Sequence, residues 1–184
     1  VIGSLLGVAS YVPYFRGIFL GTNKPHPFSW FVWSFLTAIL FFAQVVKGAG
    51  AGSWIAGMTA FACFAIAILS LRHGEQEIAP LDWFCFISAI IGIALWRLTS
   101  DPLFAVIIVT IVDVIAYIPT VRKSYLKPHE ETMTTWVLNT FKWGLSIVGM
   151  QTFSLTTVLF PVVVVPVNIM FITMVMIRRR QMKD

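Results

Sequence analysis

Seven apolar stretches, separated by short segments with Gly and Pro, dominate the pattern of this 184-residue chain. Each is long enough to cross the hydrocarbon core of a bilayer as a helix, which takes about 20 apolar residues. Their apolar positions are continuous and do not alternate, so helices are favoured over the strands of a membrane barrel. The predicted helices cover residues 1–20, 27–46, 52–71, 81–98, 102–121, 133–151 and 155–177. The sequence therefore predicts an all-α membrane protein with seven transmembrane helices.

Composition supports a lipid bilayer as the surroundings of the chain. Hydrophobic residues make up 58% of the sequence and charged residues 11%, against about 25% charged residues in soluble domains. A soluble domain could not cover so much apolar surface, and a disordered chain would be far more polar. Two cysteines exclude a disulfide scaffold, and the three histidines fall in predicted loops. We therefore expect no metal site and no other cofactor. The chain starts at Val1 inside an apolar stretch, so we expect that preceding residues are missing.

The basic residues are divided unequally between the two sides of the predicted membrane. Only Lys47 and Arg97 fall on one side, and Lys142 lies inside the sixth helix. The ten on the other side are Arg16, Lys24, Arg72, Arg122, Lys123, Lys127, Arg178, Arg179, Arg180 and Lys183. Because Lys and Arg accumulate in cytoplasmic loops, we expect the N-terminus outside and the C-terminus in the cytoplasm. The net charge of +5 is explained by this topology and does not indicate a nucleic-acid partner.

The chain resembles itself at a shift of 106 residues. The matched positions include Tyr11 with Tyr117, Pro13 with Pro119, Arg16 with Arg122, and Trp30 with Trp136. Helices one to three then correspond to helices five to seven, and the fourth is a linker that lets both copies cross the membrane in the same sense. The predicted units are a first bundle (1–71), a linker helix (72–101) and a second bundle with a basic tail (102–184), a 3+1+3 arrangement of two parallel repeats. Chance similarity between apolar helices is the alternative.

This arrangement resembles the SWEET and PQ-loop (MtN3-like) superfamily, whose repeats carry a proline near the cytoplasmic end of their first helix. The corresponding segments are residues 10–16, followed by Lys24 and Ser29, and residues 117–122, followed by Lys127 and Thr135. The glutamine that follows the proline in that family is replaced by Tyr14 and Thr120. The resemblance implies a transporter with alternating access and a central solute site between the two bundles.

Two prolines inside predicted helices are candidate hinges. Pro13 and Pro119 each remove a backbone hydrogen bond, which bends many membrane helices. Since they are matched in the repeat, we interpret them as gating hinges, with static kinks as the alternative. Tyr11 and Tyr117 lie two residues earlier and are candidates for an inner gate, with anchoring at the membrane interface as the alternative.

Two charged residues lie deep within predicted spans. Asp113 is about eleven residues into the fifth helix and Lys142 about ten residues into the sixth, so both are placed near the midplane. Charges at this depth are costly and usually pair or face a cavity. We expect a direct ion pair between them, serving either as a structural lock or as a substrate anchor or proton-coupling site. The equivalent positions in the first repeat, Gly7 and Leu36, are uncharged.

Polar and aromatic residues complete the predicted site. Asn139 lies one turn from Lys142, and Asn168 lies near the middle of the last helix; their amides suit a hydroxyl-rich solute, or form hydrogen bonds between helices. Under the repeat, Trp33 matches Asn139, so the two are expected to face one cavity from opposite bundles. Trp30 and Trp136 are expected in an interfacial belt of aromatic residues.

The sequence therefore predicts a transporter, and not an enzyme, that moves a small polar solute such as a sugar by alternating access. A non-transporting membrane receptor or sorting protein of the same architecture is the alternative. Coupling to protons and association of two chains are left open.

Overall fold

Seven α-helices make up most of the computed structural model, which describes residues 2–46, 48–50, 53–98 and 101–182. Lys47 lies outside the described residues, and so do the side chains of residues 1–8, 92, 95–97 and 102, which include Gly7 and Arg97. The helices are α1 (Ile2–Phe19), α2 (Pro27–Val46), α3 (Ser53–His73), α4 (Pro80–Arg97), α5 (Pro102–Leu126), α6 (Met133–Val148) and α7 (Leu155–Gln181). The prediction of seven helices is confirmed.

Four of these helices, α2, α3, α5 and α7, are long and apolar enough to cross a membrane. They indicate a helical membrane protein. In contrast, α6 has 16 residues and is about 24 Å long, somewhat less than the thickness of a hydrocarbon core, about 30 Å.

The distribution of polar and apolar side chains is the reverse of that in a soluble protein. Large apolar side chains point outward, among them Phe42, Phe61 and Phe84, which are 66%, 78% and 68% exposed. Asn168 and Lys142 are completely buried. Exposed apolar surface of this extent suits lipid as the surrounding solvent, and the polar groups then have to be satisfied inside the protein.

Six helices form a closed ring. α1 packs against α3 and α6, α2 packs against α3 and α5, and α7 packs against α5 and α6. The order around the ring is therefore α1, α3, α2, α5, α7, α6. α4 lies outside it, against α5 and α2. The ring surrounds the buried aromatic core, in which Trp30, Trp33 and Trp136 lie side by side.

The turn after α1 sets the position of the following loop. Gly21 has a φ of 71°, a left-handed conformation that glycine adopts without strain. The Gly21 amide donates to the Ile18 carbonyl and the Thr22 amide to the Gly17 carbonyl, which is the Schellman pattern at a helix C-terminus. The loop that follows turns back over the end of the ring, where the Glu75 amide donates to the Pro25 carbonyl at 3.0 Å.

Gly74 brings the loops after α1 and α3 into contact. A Cβ atom at this position would overlap the backbone oxygens of Pro25 and Ser70, whereas a Cβ at Gly144 would meet nothing within 4 Å. We expect Gly74→Ala to destabilise the protein by about 2 kcal/mol, the cost of overpacking. Gly144→Ala should be neutral or slightly stabilising, because alanine favours a helix. Thermal unfolding in detergent should show a lower midpoint for the first variant alone, and equal midpoints would contradict the tight contact.

A candidate solute site in the central cavity

A narrow cavity lies inside the ring of helices. Its free volume is about 40 Å³, which is room for about three water molecules. All six ring helices contribute to its wall. The lining residues are Tyr11, Trp30, Trp33, Thr37, Thr59, Cys63, Asp113, Tyr117, Trp136, Asn139, Trp143, Phe160 and Val164.

The spacing of the lining residues follows the period of the helix. Asp113 and Tyr117 are four residues apart on α5, so they occupy one face. Trp136, Asn139 and Trp143 occupy one face of α6 for the same reason. Each ring helix therefore presents one stripe to the cavity and its other faces to neighbouring helices and lipid.

Stacked aromatic rings form much of the wall. The ring centroid of Trp33 lies 5.2 Å from Trp30, 4.9 Å from Tyr117 and 5.8 Å from Trp136. Most of these contacts are edge-to-face, the arrangement that aromatic quadrupoles favour. We call Trp30, Trp33, Tyr117 and Trp136 the aromatic wall.

Trp30 and Trp136 are each 3% exposed, so the expected interfacial position of these two residues is wrong. The physical reason is that aromatic rings of neighbouring helices enclose both side chains within the ring of helices. Their match in the internal repeat was the signal that could have placed them in the site. Thr59, Cys63 and Trp143 also line the cavity, and no local pattern in the sequence distinguishes them.

Asp113 and Lys142 do not form the expected ion pair. The Lys142 ammonium donates to the Thr59 hydroxyl at 2.9 Å and to the Tyr11 hydroxyl at 3.3 Å. It also lies 4.9 Å from the Tyr11 ring centroid and 5.0 Å from that of Trp143. α1, α3 and α6 thus enclose the ammonium group with hydroxyls and aromatic faces, which stabilise a cation.

The Asp113 carboxylate faces the cavity without a partner. The residue is 4% exposed, and within the described parts of the chain no basic group lies within the 4.0 Å limit of an ion pair. The cost of burying a carboxylate without a partner is high. Asp113 is therefore the group in the wall that most needs a ligand.

The two predicted asparagines have different environments. Asn168 accepts a hydrogen bond from the Tyr117 hydroxyl at 2.5 Å and lies behind the lining residues. Asn139 lines the cavity, and its amide oxygen has no partner in the described structure. The indole nitrogens of Trp30 and Trp33 are buried without acceptors as well. The wall therefore offers unsatisfied donors and acceptors.

The two tyrosines that precede the prolines are deep in the protein. Tyr11 and Tyr117 are each 5% exposed, so they do not anchor the protein at an interface. Pro13 and Pro119 lie inside α1 and α5, one half-turn from the cavity lining. A hinge at either proline would move the tyrosine that precedes it.

Ion pairs join the helices at one end of the ring. The Lys24 ammonium lies 2.7 Å from the Glu130 carboxylate, and the Lys127 ammonium lies 3.2 Å from Glu75. Burial raises the pKa of Glu75, but hydrogen bonds from the Glu77 amide and from Lys127 outweigh burial and hold that pKa below its ordinary value. We call these two pairs, together with that of Arg122 and Asp82, the polar latch.

A buried histidine, His26, lies beside the Asp82 carboxylate of the latch. The Asp82 carboxylate accepts two hydrogen bonds from Arg122, at 3.0 and 2.5 Å, and the His26 Nε2 atom lies 3.3 Å from it. Burial lowers the pKa of His26, although Asp82 acts in the opposite direction. The imidazole is therefore held neutral at neutral pH, and the guanidinium supplies the charge that balances Asp82.

Glu131 connects the polar latch to the cavity wall. Its carboxylate accepts hydrogen bonds from the Lys123 ammonium and from the Trp136 indole, both at 3.0 Å. Lys123 and Glu131 are almost completely buried. Glu131 therefore links the residue that follows Glu130 of the latch to a ring of the aromatic wall.

The described residues contain no group of three or more His, Cys, Asp or Glu side chains that could hold a metal ion. Comparison with protein-family models, with characterised proteins and with solved structures finds no match to this chain. The interpretation of the cavity therefore rests on its own geometry.

Double-mutant cycles should separate the partners of Lys142. Since the ammonium bonds to Thr59 and not to Asp113, we expect Lys142→Met and Thr59→Val to be non-additive by about 1 kcal/mol. Lys142→Met and Asp113→Asn should be additive. The measurement is the unfolding midpoint of each single and double variant in detergent. Strong coupling between Lys142 and Asp113 would contradict the observed geometry.

Proposed function

We propose that this protein is a membrane transporter that moves a small polar solute through the central cavity by alternating access. The observation that carries the proposal is a cavity bounded by all six ring helices, with unpartnered polar atoms in its wall and a polar latch across one of its ends. A solute bound there would contact both halves of the ring, so it would favour their closure. The narrow cavity suits an occluded conformation.

The packing of the helices supports the 3+1+3 repeat. Exchanging α1, α2 and α3 with α5, α6 and α7 maps each contact of the ring onto another contact of the ring. The pair α1–α3 becomes α5–α7, the pair α2–α3 becomes α6–α7, and the pair α1–α6 becomes α5–α2. Two contacts also join positions 106 residues apart: Lys24 with Glu130 and Trp30 with Trp136, whose ring centroids are 6.4 Å apart. Equivalent residues meet in this way beside a two-fold axis.

Side-chain contacts refine the register of this proposed repeat. The Tyr117 hydroxyl bonds to Asn168, and the Tyr11 hydroxyl lies 4.0 Å from the Cys63 sulfur. Cys63 thus takes the place of Asn168, although the gapless alignment pairs Asn168 with Ala62. With a register difference of one residue between α3 and α7, the first half carries a thiol at the position where the second half carries an amide.

The proposed repeat is the arrangement that the sequence resemblance to SWEET and PQ-loop transporters implies. In this proposal the halves rock about the two-fold axis, and Pro13 and Pro119 act as the hinges. The ends of the helices with the polar latch carry most of the basic residues, so they face the cytoplasm under the positive-inside rule. The latch would then be the inner gate.

Solute uptake into proteoliposomes tests the proposal. The panel contains sugars, nucleosides, vitamins, amines and amino acids, with and without a pH gradient. We expect saturable uptake of one class and a reduction of at least about tenfold for Asn139→Leu, because the solute would lose a buried hydrogen bond and meet an apolar wall. Thr173→Val, on the exposed face of α7, is the matched control and should leave uptake unchanged.

Equal uptake by Asn139→Leu and the unaltered protein would contradict a solute site in this cavity. Binding of a panel member without any flux would instead favour the receptor of the same architecture. Uptake that depends on the pH gradient would indicate that a proton is transported as well as the solute.

Charge reversal tests the polar latch as a gate. With Cys85 replaced by Ala, Cys63 is the remaining thiol, and it lines the cavity. Lys24→Glu or Glu130→Lys alone replaces attraction with repulsion, so the free energy of opening should fall by about 1 kcal/mol. Cys63 should then react with a maleimide roughly fivefold faster. The double reversal should restore the slow rate. Identical rates in all four proteins would contradict the role of the latch.

A further inference from the structure

We propose that the solute of the central cavity carries a protonated amine, which binds at the Asp113 carboxylate against the aromatic wall. This inference rests on the proposed transport function, because it specifies the solute of the same site. It follows from three features of the cavity: an unpaired carboxylate, rings that stabilise a cation, and a second unpartnered oxygen.

The buried, unpaired carboxyl group of Asp113 suits a cationic or strongly donating ligand. The Lys142 ammonium, which the sequence suggests as its partner, bonds to Thr59 and Tyr11. No other basic side chain in the described parts of the chain forms an ion pair with Asp113. A protonated amine is the ligand that offers both a positive charge and hydrogen-bond donors to a carboxylate.

The surroundings of Asp113 also suit a cation. Tyr117 lies one turn from Asp113 on the same face of α5, and its ring packs against Trp33 at 4.9 Å and Trp136 at 5.8 Å. Aromatic faces attract organic cations that have lost their water. The protein already uses this property in the same cavity, because Tyr11 and Trp143 hold the Lys142 ammonium.

The remaining polar atoms complete the recognition pattern. The unpartnered Asn139 oxygen accepts a further hydrogen bond from the amine, and the Trp33 indole nitrogen donates to an oxygen elsewhere in the solute. An amino alcohol satisfies all of these groups. The amine supplies the direct partner that Asp113 lacks.

Matched pairs of small solutes test this inference on the unaltered protein. The probes are ethanolamine against ethylene glycol, and 4-amino-1-butanol against 1,4-butanediol, at neutral pH. Binding is measured in detergent from tryptophan fluorescence, because Trp30, Trp33 and Trp136 line the cavity. We expect each amine to have a half-saturation concentration at least about tenfold lower than its diol, as for hydrogen bonds to charged groups.

A substitution that removes only the charge identifies the carboxylate. In Asp113→Asn the preference for the amine should fall to about one, while binding of the diols changes little. Asp101→Asn is the matched control on the same helix: Asp101 is exposed and caps the N-terminus of α5 by accepting from the Leu103 amide. Asparagine caps helices equally well, so this variant should keep the full preference.

The outcomes separate the amine site from transport. The amine site is overturned if the folded protein binds amine and diol with equal affinity, or binds neither. This comparison uses the unaltered protein, so it holds even if Asp113→Asn does not fold. A preference for the amine that survives in folded Asp113→Asn overturns the role assigned to Asp113. Amine-selective binding without uptake into proteoliposomes supports the amine site and contradicts the proposed transport function. Equal uptake of amine and diol supports the proposed transport function and contradicts the amine site.

Discussion

A polar side chain within a lipid-facing bundle has to find its partners inside the protein, because the lipid offers none. In this chain that constraint determines where the helices meet. The Lys142 ammonium on α6 is satisfied only because α3 brings Thr59 and α1 brings Tyr11. Across the ring, Asn168 on α7 is bonded to Tyr117 on α5. These contacts hold the helices in order around the cavity. A core made only of apolar side chains would fill that space.

The same constraint makes the two ends of the ring unequal. At one end the Lys24–Glu130 pair of the polar latch is partly exposed, so it exchanges with water at little cost. Below it, the fully buried pair of Lys123 and Glu131 is bonded to Trp136, and breaking such a pair is far more costly. In the proposed transport cycle, opening would therefore separate the outer pairs while Glu131 keeps its partners. Glu131 and Trp136 would move with the second half as one body.

The apolar pattern was sufficient to predict the seven helices, because each span is set by its own residues and the membrane thickness. The pairing of side chains was not predictable in this way. Asp113 and Lys142 lie at similar depths on consecutive helices, yet α5 and α6 are not neighbours in the ring, since α7 and α1 flank α6. Depth follows from sequence position, whereas the neighbour around the ring depends on packing. Trp30 and Trp136 were misplaced for a related reason: hydropathy places them at an interface, whereas neighbouring helices of the ring enclose them in the aromatic core.

The distribution of charge in the cavity has a consequence for alternating access. The Lys142 ammonium is held by α1, α3 and α6, whereas Asp113 belongs to α5 and faces the cavity from the other side of the ring. In the proposed repeat Lys142 and Asp113 both belong to the second half, whereas Tyr11 and Thr59 belong to the first, so rocking would separate the ammonium from these two hydroxyls. A solute that neutralises Asp113 lowers the cost of bringing that carboxylate into a closed, nearly dry cavity. The unpaired carboxylate would then make closure depend on the solute, which is the coupling that separates a carrier from an open pore.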